Sequence, residues 1–174
     1  MSKINYNLSL IKGIVFDVDG VLSPSTINLG ADGAPVRMVN IKDGYALQLA
    51  VKKGYRISII TGADTPAIAL RYNALGIKDV YLKASHKLPV LEQWMHDNGL
   101  TPEQVAYAGD DIPDFEPMKM VGLAVAPADA ASDIKEIAGY VSPAAGGHGV
   151  ARDLLEEILR ANGQWMSHSE AFGW

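Results

Sequence analysis

Short apolar runs alternate with amphipathic stretches along most of the chain, and this alternation restricts the fold more than any other feature. The runs that predict buried strands are residues 11–16, 56–61, 79–82, 105–109 and 122–125. The patterns that predict helices are residues 43–53, 66–75, 87–98, 133–138 and 150–161. Strand–helix–strand alternation with short links favours right-handed crossovers. The predicted fold class is therefore α/β, with a doubly wound, Rossmann-like and mostly parallel sheet.

Residues 25–40 interrupt this alternation. Gly30, Asp32, Gly33 and Pro35 lie in the middle of the segment, and they predict a β-hairpin flap with a glycine turn. The stretch 163–174 has no helical period but contains apolar side chains. These are Trp165, Met166, Phe172 and Trp174. We predict a single domain over residues 1–162 and a C-terminal tail that docks on its own subunit or on a neighbour.

Polar residues follow three of the apolar runs at the point where each predicted strand ends. Asp17 and Asp19 follow the first run, Thr61 ends the second, and Asp110 follows the fourth. Ligands of doubly wound sheets bind at the carboxyl ends of the strands, so these side chains are expected to line one crevice. Two carboxylates this close repel each other unless a divalent cation lies between them. Oxygen ligands suit magnesium, so the sequence predicts a Mg²⁺ site.

Each of these motifs, taken alone, is also compatible with a structural role. A lone DxDG or Asp-rich loop is commonly a solvated turn, and a lysine that opens a helix is commonly exposed. The order DxDG, Thr61-Gly62, Lys87 and GDDIPD within one α/β chain indicates a functional site instead.

Composition excludes several other kinds of site and partner. The chain has 174 residues, 48% of them hydrophobic, and a net charge of -5. This acidic balance disfavours nucleic acid or an anionic membrane as the main partner. No cysteine is present, which excludes disulfides, thiolate metal sites and cysteine nucleophiles. No apolar run approaches the ~18–20 residues that span a bilayer, and the first residues do not form a signal peptide. We therefore expect a cytoplasmic protein.

The four motifs resemble those of the haloacid dehalogenase superfamily of phosphohydrolases over nearly the whole chain. The stretches FDVDGVL, VNIKDGYALQLAVKKG, IITG, GDDIPD and GGHGVARD are more narrowly similar to the 3-deoxy-D-manno-octulosonate 8-phosphate (Kdo 8-phosphate) phosphatase family. The ending AFGW resembles the versions from Bacteroides-type bacteria. The resemblance implies a phosphatase that converts Kdo 8-phosphate to Kdo and phosphate in lipopolysaccharide precursor synthesis.

Phosphoryl transfer requires an in-line nucleophile, charge neutralisation and an acid for the leaving group. With the resemblance, this assigns Asp17 as the nucleophile that forms an aspartyl-phosphate. Asp19 would protonate the leaving sugar oxygen and later deprotonate water. Mg²⁺ would be held by Asp17, the backbone carbonyl of Asp19 and the side chain of Asp110.

The remaining polar residues of the four motifs would support this reaction. Thr61 would donate a hydrogen bond, and Lys87 would contribute a positive charge, to the phosphoryl oxygens. Asp111 and Asp114 would orient the metal ligands and Lys87.

The residues that the resemblance implies for substrate binding lie in segments that align with the family's motifs. They are Asn40, Ile41, Lys42, Asp43, Gly44, Gln48, Gly62, Arg71 and His148. Arg71 suits a carboxylate, which accepts bidentate hydrogen bonds from a guanidinium. Ala63 and His148 stand where the family often has arginine, and Lys42 also replaces an arginine. A nonulosonate 9-phosphate, of KDN or N-acetylneuraminate, therefore remains an alternative substrate.

The distances between the motifs leave no room for an inserted cap domain. Residues 20–61 hold only the flap and one helix, and residues 61–87 hold one helix and one strand, whereas a compact domain needs at least ~50 residues. The resemblance implies a homotetramer in which flaps assemble and one subunit completes the next one's site. We predict a capless enzyme of this kind.

Two functions of other classes remain possible from the residues alone. A signalling receiver domain also carries an acidic cluster, a phosphorylated Asp, a Thr and a Lys on a doubly wound sheet. It lacks an acid two residues after the nucleophile, whereas this chain has Asp19 after Asp17. A non-catalytic scaffold descended from the enzyme would not need Asp17, Asp19, Thr61, Lys87 and Asp110 intact.

Overall fold

Six parallel strands form the main sheet of the described part of the chain. The computed structural model describes residues 2–167, Ser169 and Gly173, so Phe172 and Trp174 of the predicted tail lie outside the described residues. The strands of the main sheet are β1 (Gly13–Phe16), β4 (Arg56–Ile60), β5 (Asp79–Tyr81), β6 (Val105–Ala108), β7 (Leu123–Ala126) and β8 (Tyr140–Val141). Two further strands, β2 (Asn28–Leu29) and β3 (Pro35–Val36), pair with each other outside this sheet. The helices are α1 (Ile41–Lys52), α2 (Pro66–Asn73), α3 (Lys87–Asn98), α4 (Phe115–Met120), α5 (Ser132–Ile137) and α6 (Val150–Ala161).

The central strands are buried on both faces, as their continuous apolar sequences predict. Every residue of β1, β6 and β7 is buried. Along β1, Ile14 and Phe16 pack on one side, with side chains of α1 and α6, while Val15 packs on the other side, with Trp94 of α3. Burial of one such aliphatic or aromatic side chain contributes about 1.5–3 kcal/mol. Helices therefore cover both faces, and the predicted doubly wound α/β class is confirmed.

The sheet order is β5-β4-β1-β6-β7-β8, and it creates the crevice in which ligands of such folds bind. From β1 the chain proceeds outward through β4 and β5 on one side, and then returns to β6 on the other side. The carboxyl ends of β1 and β6 therefore lie side by side at the point where the direction changes. Asp17 follows β1, its amide donates to the Ala108 carbonyl at 3.0 Å, and Asp110 follows β6 two residues beyond Ala108.

The predicted hairpin flap is confirmed as a short antiparallel pair, β2 with β3. Gly33 occupies the turn with a φ of 77°, a left-handed conformation that glycine adopts without strain. The flap buries few apolar groups of its own: Leu29 is 71% exposed and Val36 is 55% exposed. Between the flap and β4 lies only α1, so no domain is inserted at this point.

Two elements were missed by the sequence patterns, and several predicted boundaries differ from the structure by one or two residues. The edge strand β8 has only two residues, and α4 has six residues with Pro117 among them, so neither shows a clear period. Helix α1 begins at Ile41 rather than at Asp43. The side-chain oxygen of Asn40 accepts from the amides of Lys42 and Asp43, and this N-cap starts the helix earlier.

The first aromatic residue of the tail packs on this chain. The ring of Trp165 meets that of Tyr45 edge-on, with centroids 6.0 Å apart and an interplanar angle of 87°. The guanidinium of Arg152 lies over Trp165 at 4.4 Å from its centroid, a favourable cation–π contact. Trp165 thus fixes the start of the tail against α1 and α6. In the described part of the chain, no helix has both the length and the apolar character needed to cross a membrane.

Candidate active site

A cavity of about 360 Å³ lies at the carboxyl ends of β1 and β6 and collects the predicted catalytic side chains. Carboxylates come from the loops after β1 and β6, a hydroxyl from the end of β4, and a lysine from the first turn of α3. The residues that line it are Asp17, Asp19, Ser25, Thr61, Gly62, Ala63, Ala84, Ser85, Lys87, Asp110, Asp111, Pro113 and Asp114. The fold therefore brings all four motifs to one place.

Lys87 connects two of the buried carboxylates. Its Nζ lies 3.0 Å from Asp17 Oδ1 and 2.7 Å from Asp114 Oδ1, and all three residues are buried. Burial lowers the pKa of Lys87, but the charges of Asp17 and Asp114 outweigh it and leave that pKa above its ordinary value. Lys87 therefore stays charged, and its ammonium holds Asp17 in one orientation.

Asp114 is fully engaged as a positioning residue. Besides Lys87, its Oδ1 accepts from the Tyr107 hydroxyl at 2.8 Å. Its Oδ2 accepts from the Asp110 amide at 3.2 Å, so Asp114 joins the loop after β6 to α3. Burial, followed by the charge of Asp114, raises the pKa of Tyr107 well above its usual range, so the hydroxyl keeps its proton and continues to donate.

Asp17 and Asp110 carry negative charge that the described protein does not neutralise fully. Burial raises the pKa of Asp17 to about 7, and repulsion from Asp114 adds to this effect. Burial and the charge of Asp17 raise the pKa of Asp110 to about 7 as well. Oxygens of Asp17, Asp110 and Asp114 lie within 4.8 Å of one another. Because Asp114 is already engaged, Asp17 and Asp110 are the carboxylates that fit a divalent cation.

Gly20 allows this approach of the two acidic loops. Its φ is 89°, and a Cβ at this position would overlap the carboxylate of Asp110. A glycine after DxD therefore serves a steric purpose, because any side chain would displace a predicted metal ligand.

Thr61, Gly62 and Asp111 occupy the rim and floor of the cavity. Thr61 is 1% exposed, and its Oγ1 accepts from the Ala63 amide at 3.2 Å. A hydroxyl that accepts one hydrogen bond still has its own proton to donate. Thr61 can therefore donate toward the cavity, whereas Asp111 is exposed at its edge.

The sequence patterns missed Arg37 in the flap, which contacts the predicted general acid. Its Nε and Nη2 donate to the two carboxylate oxygens of Asp19, at 2.7 and 2.8 Å. Its Nη1 donates to Thr65 Oγ1 at 2.8 Å. The available signal was a lone cation just beyond the second flap strand, opposite a DxD motif. The sequence alone does not show which residue this cation contacts, because the contact depends on how the hairpin folds over the sheet.

The predicted substrate residues are not gathered in this cavity. Gly62 lines it, and Arg71 lines a smaller pocket of about 90 Å³ next to Arg37. Asn40, Lys42 and His148 line a third cavity of about 250 Å³, together with Arg152.

The other predicted substrate residues have structural contacts within this chain or face solvent. Asp43 is buried, and its Oδ1 accepts from the Arg152 amide at 2.7 Å. Gly44 packs against the guanidinium of Arg71, and Gln48 accepts from Lys52 at 3.2 Å. Ile41 is 67% exposed. Their roles in binding substrate remain predictions.

We expect Mg²⁺ to stabilise the protein more strongly above pH 7 than below it. Asp17 and Asp110 have pKa values of about 7, so both take up protons, and lose attraction for a cation, as the pH falls through that value. In the metal-free protein, the folded pKa values lie above the unfolded value of 3.8. Stability from these groups is therefore lost as the pH rises toward 7. Thermal unfolding midpoints with and without Mg²⁺, about one pH unit either side of 7, test this.

Two variants serve as controls for that measurement. Asp110→Asn removes a proposed ligand, so the gain from Mg²⁺ should disappear at both pH values. Asp133→Asn, an exposed position on α5, should keep the wild-type behaviour. A gain from Mg²⁺ of equal size above and below pH 7 would contradict the assignment.

Comparison with known proteins places the chain in a family. A profile of haloacid dehalogenase-like hydrolases matches residues 68–154. The 3-deoxy-D-manno-octulosonate 8-phosphate phosphatase KdsC of Escherichia coli K12 is 37% identical over 154 residues, which cover 88% of this chain and 82% of that protein.

Solved structures agree with the fold. The crystal structure of 3-deoxy-D-manno-octulosonate 8-phosphate phosphatase from Yersinia pestis has a TM-score of 0.87 and 35% identity, covering 91% of this chain and 85% of that one. The Moraxella catarrhalis enzyme, in complex with a magnesium ion, a phosphate ion and Kdo, has a TM-score of 0.87 and 28% identity, covering 91% of each chain. The resemblance seen in the motifs is confirmed: this chain belongs to the Kdo 8-phosphate phosphatase family of haloacid dehalogenase-like hydrolases.

Proposed function

We propose that this chain is a magnesium-dependent phosphatase that hydrolyses Kdo 8-phosphate to Kdo and phosphate through an aspartyl-phosphate. The observation that carries the proposal is the contact of Asp17 with Lys87 beside Asp110 in one cavity. Relatives named for this activity are 37% identical over most of the chain. The E. coli relative, which the match covers to 82%, and a neighbour with bound Kdo support the same substrate.

The first half of the reaction uses Asp17 and Asp19. A carboxylate oxygen of Asp17 attacks phosphorus, the bond from phosphorus to the sugar oxygen breaks, and Asp19 gives a proton to that oxygen. Lys87 keeps the attacking carboxylate in place through its 3.0 Å contact. Magnesium, when bound by Asp17 and Asp110, supplies positive charge against the phosphoryl oxygens.

The second half returns Asp17 to its starting state. Asp19, now ionised, takes a proton from water, the water oxygen attacks phosphorus, and the bond between phosphorus and Asp17 breaks to release phosphate. Thr61 donates to a phosphoryl oxygen from the floor of the cavity. Tyr107 and the Asp110 amide hold Asp114, and Asp114 holds Lys87, so the whole constellation keeps one geometry through both steps.

A nonulosonate 9-phosphate remains the second candidate substrate. Ala63 lines the cavity where the family often has arginine, and this leaves more space and less positive charge near the phosphoryl site. The family membership leaves no support for a receiver domain, and the assembled acidic site argues against a non-catalytic scaffold.

Removal of the nucleophile should abolish turnover. We expect Asp17→Asn to lower kcat by at least about 10³-fold, because an amide oxygen cannot form the aspartyl-phosphate. Phosphate release from Kdo 8-phosphate with Mg²⁺ measures this. Asp97→Asn, at an exposed position on α3, is the matched control and should keep the wild-type rate. A near wild-type rate for Asp17→Asn would exclude the mechanism.

A side-by-side panel of phosphorylated sugar acids tests the substrate. We expect kcat/KM for Kdo 8-phosphate to exceed that for nonulosonate 9-phosphates and hexose phosphates by about tenfold or more, a difference of about 1.4 kcal/mol in transition-state binding. Preference for a nine-carbon acid would replace the substrate but keep the mechanism. Preference for simple hexose phosphates would remove the sugar-acid assignment altogether.

A homotetramer in the cytoplasm remains a prediction, and the exposed apolar surface of the flap supports the assembly. Leu29, Val36, Met38 and Ile41 are each more than half exposed in the single chain. Exposed apolar groups on the flap and at the first residue of α1 favour burial against another molecule. We expect light scattering at assay concentration to give the mass of four chains, and an active monomer would contradict the assembly.

A further inference from the structure

Arg37 connects the flap to the predicted general acid. Its guanidinium binds both oxygens of Asp19 as a fork, and the side chain of Arg37 is 11% exposed while that of Asp19 is 31% exposed. Its third nitrogen donates to Thr65, at the start of α2. Paired hydrogen bonds of this kind are among the strongest polar contacts in proteins.

This contact restrains the predicted general acid. Proton transfer requires an oxygen of Asp19 within hydrogen-bond distance of the leaving oxygen. Both oxygens accept from Arg37 at 2.7 and 2.8 Å, so the fork fixes the carboxylate of Asp19 in one orientation, turned toward the flap. For Asp19 to turn an oxygen toward the leaving group, Arg37 has to leave it, at least in part.

A second arginine lies beside Arg37. Arg71 on α2 lines the same pocket of about 90 Å³, together with Thr65 and Tyr72. Arg71 is half-buried, and among the described residues no carboxylate pairs with it. Two guanidiniums along one small and partly apolar pocket favour an anion between them, and a carboxylate matches the fork of either one.

The flap gives Arg37 freedom to change partners. Residues 31–36 are exposed, and β2 and β3 pair over only two residues each. Segments with few buried contacts are the ones that move at low cost. Exchange of Asp19 for another carboxylate would also leave Arg37 with charge-assisted hydrogen bonds throughout.

We propose that Arg37 determines specificity by releasing Asp19 only when a carboxylate-bearing substrate is bound. Without substrate, Arg37 holds both oxygens of Asp19. The carboxylate of a sugar acid that enters between Arg37 and Arg71 draws the guanidinium away, and Asp19 then reaches the leaving oxygen. The proposal rests on the proposed phosphatase function and concerns its selection of acidic sugars. A neutral sugar phosphate brings no carboxylate to this pocket, so Asp19 remains engaged.

The test compares kcat/KM of Arg37→Met and wild type on Kdo 8-phosphate, D-arabinose 5-phosphate and p-nitrophenyl phosphate. We expect the ratio of the first substrate to the second to fall by about tenfold or more, because the variant loses the carboxylate contact and leaves Asp19 free for the neutral sugar. The aryl substrate should change by less than about threefold, since its leaving group needs no proton from Asp19. For all three, kcat/KM reports the step that releases the alcohol.

An unchanged ratio, within about threefold of wild type, would overturn the proposal, because Arg37 would then support Asp19 equally for every substrate. Arg37→Lys keeps the charge but not the fork, and its ratio should move in the same direction by a smaller factor. It also carries the test if Arg37→Met does not fold. Arg56 is the exposed first residue of β4 and lies at the strand end away from the cavity, so Arg56→Met should leave all ratios unchanged.

The proposed function is tested separately, by the substrate preference of the wild-type enzyme. Its failure would be seen as preference for another phosphate in the substrate panel. The ratio for Arg37→Met is then taken with whichever carboxylate-bearing phosphate the wild type prefers, so the two outcomes are distinguishable.

Discussion

The excess of negative charge at the switch point of the sheet is the constraint on which the rest of the site depends. Asp17, Asp110 and Asp114 converge there, and Lys87 is the cation that contacts two of them. Burial makes each unpaired charge expensive, which is why the carboxyl groups of Asp17 and Asp110 have raised pKa values. An apo site of this kind is poised to take up either protons or a cation. A bound cation and a proton compete for the same carboxylates, so cation binding favours the ionised form of the nucleophile.

The local cations explain how an acidic protein can bind an anionic substrate. The net charge is -5, yet Lys87 lines the cavity, and Arg37 and Arg71 line the neighbouring pocket. At short range a buried or half-buried guanidinium outweighs distant surface carboxylates, which water and salt screen. Global charge is an argument about macromolecular polyanions, and it says little about a small phosphate ester that meets only the cavity.

Much of the architecture and the core of the site could be predicted because both depend on local patterns. Apolar runs located β1, β4 and β6, and in a parallel sheet this alone places Asp17, Thr61 and Asp110 at one edge. Arg37 could not be found this way, since its contact with Asp19 depends on how a hairpin folds back over the sheet. The segment around Asn40 was matched to substrate binding, while the structure uses its side chain to cap α1. Such a double use of one motif is visible only in three dimensions.

The cap at Asn40 also makes this residue a fixed pivot at one end of the flap. Its Oδ1 binds the first amides of α1 and its Nδ2 donates to the Gly147 carbonyl at 3.2 Å, so this end of the flap is fixed on two sides. Arg37 is three residues from that pivot and Gly33 is seven. At ~3.3–3.6 Å per residue, the backbone of Arg37 stays within about 10 Å of the pivot, and the turn reaches roughly twice as far. A movement of the flap therefore displaces Arg37 much less than the turn, so Arg37 can change partner while it stays close to the cavity.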